Sequence, residues 1–327
     1  MGKKGKNGTD PKLPIYKKEK IEMDKILIFG HKSPDTDSIC SSLVMADLQK
    51  KLGKENVIAC RLGEINEETK YALKHIGVDE PKYIEEIEQG QPVILVDHNE
   101  FSQSVKGIEN AKIVAVVDHH RINNFETSEP LFYYAQPVGC TSTLLFELYK
   151  SNNLEIEPQI AGLMLSAIIS DTLLLKSPTT TEKDKKVVTE LAKIANIDIE
   201  KYGLEMLKAG TDLDRYTEEE LIHLDAKKIE KEDIKYVIAQ VNTVSIPDVL
   251  KRKEKIEQEI NKQILAKGLS LFVFVITDII NSNSEAIVLG DRTDAISNTY
   301  EIKNNIAIMP GVVSRKKQIL PLVEKNM

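Results

Sequence analysis

Four short segments gather histidine and aspartate in patterns that could do chemistry: Gly30-His31-Lys32-Ser33-Pro34-Asp35-Thr36-Asp37-Ser38, Val96-Asp97-His98-Asn99-Glu100, Val117-Asp118-His119-His120-Arg121 and Ser170-Asp171-Thr172. Brought together, His31, Asp35, Asp37, Asp97, His119 and Asp171 would offer two imidazoles and four carboxylates. So many carboxylates in one crevice repel each other unless cations neutralise them. Mixed nitrogen and oxygen ligation suits Mn²⁺, Co²⁺, Mg²⁺ or Zn²⁺ better than a thiolate-seeking ion. Six side chains exceed the needs of one open catalytic ion and fit two ions that share a carboxylate.

Taken singly, each segment has a plainer explanation. An aspartate after a strand is commonly a helix N-cap or turn residue, which is the expectation for Asp118, as it is for Thr36. Isolated histidines are usually structural, the expectation for His75, His223 and His98. The case for a site lies in the conjunction, because each segment ends an apolar element.

Those elements must do the positioning. Ile26–Phe29 reads as a buried strand, followed by an amphipathic helix over Ile39–Leu52; Val93–Val96 and Ile113–Val117 are further strands. Buried strands alternating with helices predict a parallel sheet with helices on both faces. The carboxyl ends of parallel strands share one edge, where ligands bind. Pro158–Ser170 is too long and too rich in Ala, Leu and Met for a strand and predicts a buried helix. The pattern breaks at Ala209–Arg215 (AGTDLDR), which predicts a linker. Beyond it, strands Tyr236–Val241, Leu271–Thr277, Ile287–Leu289 and Ile306–Met309, with a charged helix over Pro247–Lys267, predict a smaller mixed α/β domain. The division is a leader over 1–22, a metal-binding domain over 23–209, a linker over 210–216 and a second domain over 217–327. In the second domain, Ser314-Arg315-Lys316-Lys317-Gln318 follows an apolar run. Arg can clasp phosphate oxygens through two parallel hydrogen bonds and Lys supplies a point charge, so a basic loop facing a metal-laden crevice would suit a polyanion.

Composition narrows the class. A net charge of −7 argues against a general nucleic-acid binder. No apolar run approaches the ~20 residues that span a bilayer, and the first residues lack a signal-peptide core, so the cytoplasm is the expected location. Three scattered cysteines, Cys40, Cys60 and Cys140, form no CxxC pair and are expected to be small buried residues. The first 22 residues hold seven lysines among glycines and prolines and read as a disordered basic leader.

At GHKSPDTDS (30–38), VDHNE (96–100), VVDHHRI (116–122), SAIISDTLLLKSPT (166–179), LDAK (224–227) and SRKKQ (314–318), the chain resembles the family II inorganic pyrophosphatases of the DHH phosphoesterase superfamily, from about residue 24 to the C-terminus. The resemblance implies an N-terminal doubly wound parallel-sheet DHH domain, a smaller C-terminal mixed-sheet domain, and a hinge between them. It implies hydrolysis of pyrophosphate to two phosphates by a two-metal-activated hydroxide. His31, Asp35 and Asp97 would hold one ion; Asp37, Asp97, His119 and Asp171 would hold the other, with Asp97 bridging. His120, Lys227, Arg315 and Lys316 match the family's substrate-contacting residues, the last three forming a clamp. Mn²⁺ or Co²⁺ at the dinuclear site, additional Mg²⁺ arriving with substrate, and homodimerisation through the N-terminal domain are implied as well. The interval between VVDHHRI and SAIISDT is too short for an inserted CBS regulatory domain. The alternatives are a DHH enzyme acting on polyphosphate or short nucleotides, against which stands the absence of a GGGH segment, or a non-catalytic phosphate-binding protein.

Overall fold

The structure, a computed structural model, describes residues 25–231 and 234–326; the basic leader expected over 1–22 lies outside them. The first half runs β1 (Ile26–Phe29), α1 (Thr36–Lys51), β2 (Val57–Arg61), α2 (Glu67–Ile76), β3 (Lys82–Tyr83), β4 (Pro92–Val96), β5 (Lys112–Asp118) and β6 (Phe132–Ala135), then α3 (Thr141–Ser151), α4 (Pro158–Asp171), α5 (Glu182–Ala195) and α6 (Ile199–Gly210). Among the described residues its strands form one six-stranded sheet, ordered β3-β2-β1-β4-β5-β6, with every pair parallel. Strand order reverses between β1 and β4. The connections leaving their carboxyl ends run to opposite sides there, which opens the crevice in which doubly wound sheets bind ligands.

Alternation along the strands feeds two apolar layers. Ile28, Ile94 and Val96 point into a core shared with the helices, whereas Leu27, Phe29, Val93 and Leu95 point the other way. Helices were expected on both faces, but among the described residues the two faces are covered by unlike material. The α-helices take one face; the other lies under the 3₁₀ turns Phe101–Gln103 and Ile108–Asn110 with Phe125 and Leu131. The connection between β4 and β5 is rich in Ser, Asn and Gly, residues that favour turns over helix. α4 is apolar all round because it is enclosed by α1, α3 and α5, with α2 and α6 at its sides. α1, expected to be amphipathic, is instead buried on most of its surface, since it lies between the sheet and α4.

The second half runs α7 (Glu218–Leu221), β7 (Ala226–Lys231), β8 (Ile234–Thr243), α8 (Ile246–Leu250), α9 (Lys253–Lys267), β9 (Leu271–Asp278), β10 (Asn283–Leu289), α10 (Asp294–Ser297), β11 (Ile302–Lys303), β12 (Ile306–Met309) and α11 (Leu320–Asn326). Its sheet, ordered β11-β12-β10-β9-β8-β7, is mixed: β8 and β9 are parallel and the other pairs antiparallel. The charged helix expected over Pro247–Lys267 is two helices. The break falls at Lys251–Arg252, where the Arg252 guanidinium donates to the carbonyls of Leu213 at 3.0 Å and Tyr216 at 2.6 Å and to Glu218 at 3.1 Å. All three cysteines are free and buried. Among the described residues no helix is long and apolar enough to cross a membrane.

Candidate metal centre

His31 follows β1 and Asp97 follows β4, so the order reversal sets them side by side: His31 Nε2 lies 3.4 Å from Asp97 Oδ2 and 3.4 Å from Asp35 Oδ2. Asp35 caps α1, accepting from the Ser38 amide at 3.0 Å, which places Asp37 in the first turn and aims it inward. His119, just past β5, puts Nε2 3.4 Å from Asp97 Oδ1, 3.5 Å from Asp171 Oδ2 and 3.9 Å from Asp37 Oδ2. Asp171 arrives from the far side, as the last residue of α4. The six sequence-predicted ligands therefore converge as two groups, His31/Asp35/Asp97 and Asp37/Asp97/His119/Asp171, with Asp97 in both.

Neutral donors fix the carboxylates. Asp97 accepts from Ser38 Oγ at 2.7 Å and Thr141 Oγ1 at 3.3 Å; Asp37 accepts from Ser41 Oγ at 2.6 Å and the Thr141 amide at 2.8 Å. Gly30 makes room for this arrangement, because a Cβ there would sit 2.5 Å from the Ser38 Cβ. The Thr141 contacts come from the amino end of α3. The loop before it is pinned by Asp184, which accepts from the Gly139 amide at 2.9 Å and from Thr143 Oγ1 at 2.6 Å. That loop supplies the Val138 carbonyl, 3.0 Å from His119 Nδ1. A carbonyl can only accept, so His119 carries its proton on Nδ1 and turns the lone pair of Nε2 toward the aspartates.

That Nε2 is buried and has no hydrogen-bond partner. A buried acceptor without a donor, facing three carboxylates, fits a cation and little else. The electrostatics agree. Burial, then the neighbouring Asp37 and Asp35, pushes the Asp97 carboxyl well above its ordinary range, and burial with Asp37 and Asp97 does the same to Asp171. Cations entering here displace protons and remove that repulsion. Asp97 also holds φ at 58°, a left-handed conformation that costs a non-glycine residue on the order of 1 kcal/mol. Directly after Asp171, Leu173, Leu174 and Leu175 continue in the same region at 47°, 55° and 64°.

Asp118 makes the turn bond expected of it, accepting from the His120 amide two residues on at 3.1 Å, but it is also the fully buried end of β5 and accepts from His120 Nδ1 at 3.0 Å and Asn99 Nδ2 at 2.6 Å. Burial opposes its ionisation, but the His120 and Asn99 hydrogen bonds hold its pKa below the usual value. With Nδ1 committed to Asp118, His120 presents Nε2 outward, although its Nδ1 lies only 3.6 Å from Asp97. Thr36 is a buried first-turn residue bonded to Glu68, whose place near the centre no sequence signal indicated. His98 is structural as expected, held between the Val96 carbonyl and Ser104 Oγ at 3.0 Å each. His75 stacks near Tyr71 and Tyr202, and His223 meets the Glu219 carbonyl.

The basic residues stand apart. Arg315 and Lys316 line a cavity of about 430 Å³ with Asp225, Gln240 and Asn242, and none of the six clustered residues lines it. Arg315 is engaged within its own half, 2.9 Å from Asp225 Oδ1 and 2.9 Å from the Asp225 carbonyl. Lys227 is exposed on the edge strand β7.

Residues 25–168 match the model of the DHH family N-terminal domain, and residues 204–326 match that of the DHHA2 domain. The manganese-dependent inorganic pyrophosphatase of Bacillus subtilis is 52% identical over 308 residues, covering 93% of this chain and 99% of its own. A protein of Exiguobacterium sp. named a probable enzyme of the same kind is 55% identical over 304 residues, covering 92% and 98%. Among solved structures, a Methanococcus jannaschii protein assigned to the family II inorganic pyrophosphatases superposes with a TM-score of 0.59 at 40% identity, over 92% of this chain and 99% of that one.

Proposed function

This chain belongs to the manganese-dependent inorganic pyrophosphatases of the DHH family, and from that premise we infer that it hydrolyses inorganic pyrophosphate to two phosphates. The observation that carries the reading is the convergence of six ligand side chains on Asp97 around the unpartnered Nε2 of His119. Manganese is the cofactor, and Co²⁺ would serve at the same ligands; a further Mg²⁺ would enter with the substrate. His31, Asp35 and Asp97 would hold one ion, and Asp37, Asp97, His119 and Asp171 the other. Bound there, the ions offset the carboxylate charge, polarise phosphoryl oxygens and activate water as a nucleophile near neutral pH.

The chain's own residues do the rest. Asp118 accepts from His120 Nδ1–H and favours the imidazolium, whose Nε2–H could donate to a phosphoryl oxygen or to the departing phosphate. Arg315, Lys316 and Lys227 would neutralise charge as it moves onto the leaving group. They reach the substrate only if the second domain closes over the first, with bending in the linker at 210–216 between the domains at 23–209 and 217–327. Support for this comes from the cavity that Arg315 and Lys316 share, which adjoins the linker at Leu213.

The finer expectations stand as proposals on narrower ground. Homodimerisation through the N-terminal domain is supported by β6, an edge strand with Phe132 exposed. A cytoplasmic location fits three unpaired thiols, and the acidic net charge fits a protein that does not bind nucleic acid.

The test is phosphate release from pyrophosphate by metal-stripped protein, with Mg²⁺ alone and after Mn²⁺ or Co²⁺ is restored. Activity should rise sharply with the transition metal. No turnover under any condition, from folded protein, would overturn the reading and direct attention to nucleotide or polyphosphate substrates.

A further inference from the structure

Two of the ligand-bearing helices pack side by side, the amino end of α1 beside the carboxyl end of α4 at the centre. α1 delivers Asp35 and Asp37 from its amino end, and α4 delivers Asp171 from its carboxyl end. Their packing holds the helices together, and the local spacing of those two ends fixes where Asp171 lies relative to Asp37. Glu68, from the first turn of α2, stands between them. Its Oε1 accepts from Thr36 Oγ1 at 2.8 Å and from Ser170 Oγ. Thr36 lies between Asp35 and Asp37 in sequence, and Ser170 immediately precedes Asp171.

The hydrogen-bond direction is determined. A carboxylate only accepts, so Thr36 spends its one hydroxyl proton on Glu68. Thr69 Oγ1, 3.0 Å from Thr36 Oγ1, must then be the donor of that pair, which gives a chain from Thr69 through Thr36 to Glu68. Thr36 and Thr69 are fully buried, and Glu68 and Ser170 are half-buried. One oxygen atom thereby ties the carboxyl end of α4 to the amino end of α1, through partners 102 and 32 residues from Glu68. Glu68 is not in either ligand group.

We propose that Glu68 is a positioning residue of the metal centre, which sets the distance between the Asp35/Asp37 end of α1 and Asp171 by accepting from Thr36 and Ser170 at a single oxygen. The proposal rests on the metal-centre reading given above. What it requires at this position is an acceptor rather than a charge: glutamine offers the same oxygen, and alanine offers none.

Metal-free wild type, Glu68→Gln, Glu68→Ala and Ser170→Ala are titrated with Mn²⁺, the free ion being followed by electron paramagnetic resonance so that affinity and stoichiometry are read without turnover. Wild type should bind two ions. Glu68→Ala should bind both more weakly, by about 10- to 100-fold, the range for an outer-shell partner. Glu68→Gln should restore affinity close to wild type. Ser170→Ala should weaken the ion held by Asp171 and His119 and leave the His31/Asp35/Asp97 ion unchanged. If Glu68→Ala does not fold, shown by circular dichroism of the metal-free form, Glu68→Gln and Ser170→Ala carry the test. Unchanged affinity in Glu68→Ala, or in Ser170→Ala, overturns the proposal. So does a glutamine variant that loses metal to the degree expected of alanine, which would make the charge the active feature, and so does outright loss of one ion from the stoichiometry, which would make Glu68 a ligand. Wild type that binds no Mn²⁺ refutes the metal-centre reading itself.

Discussion

The two halves of the molecule hold their charged residues in opposite ways. In the first, acidic ligands are packed into the interior, and Asp37 and Asp97 each accept hydrogen bonds through both carboxylate oxygens. In the second, Lys227 and Lys316 are exposed, and Arg315 is occupied by Asp225 of its own half. A ligand set built during folding costs no reorganisation when cations arrive, but it stores repulsion until they do. The cations of the second half store no such repulsion; exposed Lys227 and Lys316 must lose side-chain freedom when they engage, and Arg315 must give up Asp225. Metal affinity should therefore depend on the first half alone, and substrate engagement on both.

The sharpest way to break this contrast is at the shared ligand. Asp97→Asn keeps the shape and an acceptor for Ser38 or Thr141 but removes the bridging charge. It should weaken Mn²⁺ binding at both sites by more than about 100-fold, beyond the outer-shell range, and abolish phosphate release. Calorimetric titration with Mn²⁺ checks this, and a variant that binds one ion with wild-type affinity would show that Asp97 does not bridge.

Next in size is the effect of the ions on stability. Cations that bind only the folded first half stabilise it by about 4 kcal/mol when present at a thousandfold over their dissociation constant. For a domain of this size that corresponds to roughly 10 °C in melting temperature. Scanning calorimetry with and without Mn²⁺ should show one transition moving by that amount and a second, from the 217–326 half, staying in place. Equal movement of both would mean that the halves unfold as one unit.

Arg315→Ala probes the other side. A hydrogen bond to a charged group contributes about 1.5–3 kcal/mol, so kcat/KM for pyrophosphate should fall by about 10- to 100-fold. Mn²⁺ affinity should not change. A parallel loss of metal binding would place Arg315 in the architecture of the centre and erase the distinction between the halves.

The same contrast governs what could be read from the sequence. The convergence of the six candidate ligands was legible because each follows an apolar run at a strand or helix end, and Ile26–Phe29 and Ile306–Met309 were read to the residue. α4 was legible because a helix enclosed by helices is apolar all round. β7 was not, since an exposed edge strand of sequence AKKIEK carries no apolar alternation. Nor was β6, an edge strand of four residues. Asp118 was legible as a turn residue but not as a buried anchor, because its bond from Asn99 comes from a different loop that only the tertiary structure brings near. Glu68 was invisible for the same reason: one more glutamate in the first turn of a helix looks like a favourable charge at the helix dipole.

The smallest expected effect tests where closure can occur. Arg252 binds the carbonyls of Leu213 and Tyr216, so the later part of the linker is fastened to the second half. On the other side α6 remains helical through Gly210. Between these two fixed points lie Thr211, which caps α6 through the Leu207 and Lys208 carbonyls, and Asp212, and Lys208 also reaches across to Asp248 at 3.3 Å. Arg252→Lys keeps the charge but cannot hold two carbonyls in a planar fork, which lengthens the flexible span and blurs the closed geometry. Losing about 1 kcal/mol of restraint should raise KM about fivefold, with kcat and Mn²⁺ affinity close to wild type. Limited proteolysis should show new cleavage near Leu213–Tyr216. Unchanged KM alongside new cleavage would mean that the hinge tolerates slack and that closure is steered by the clamp residues alone.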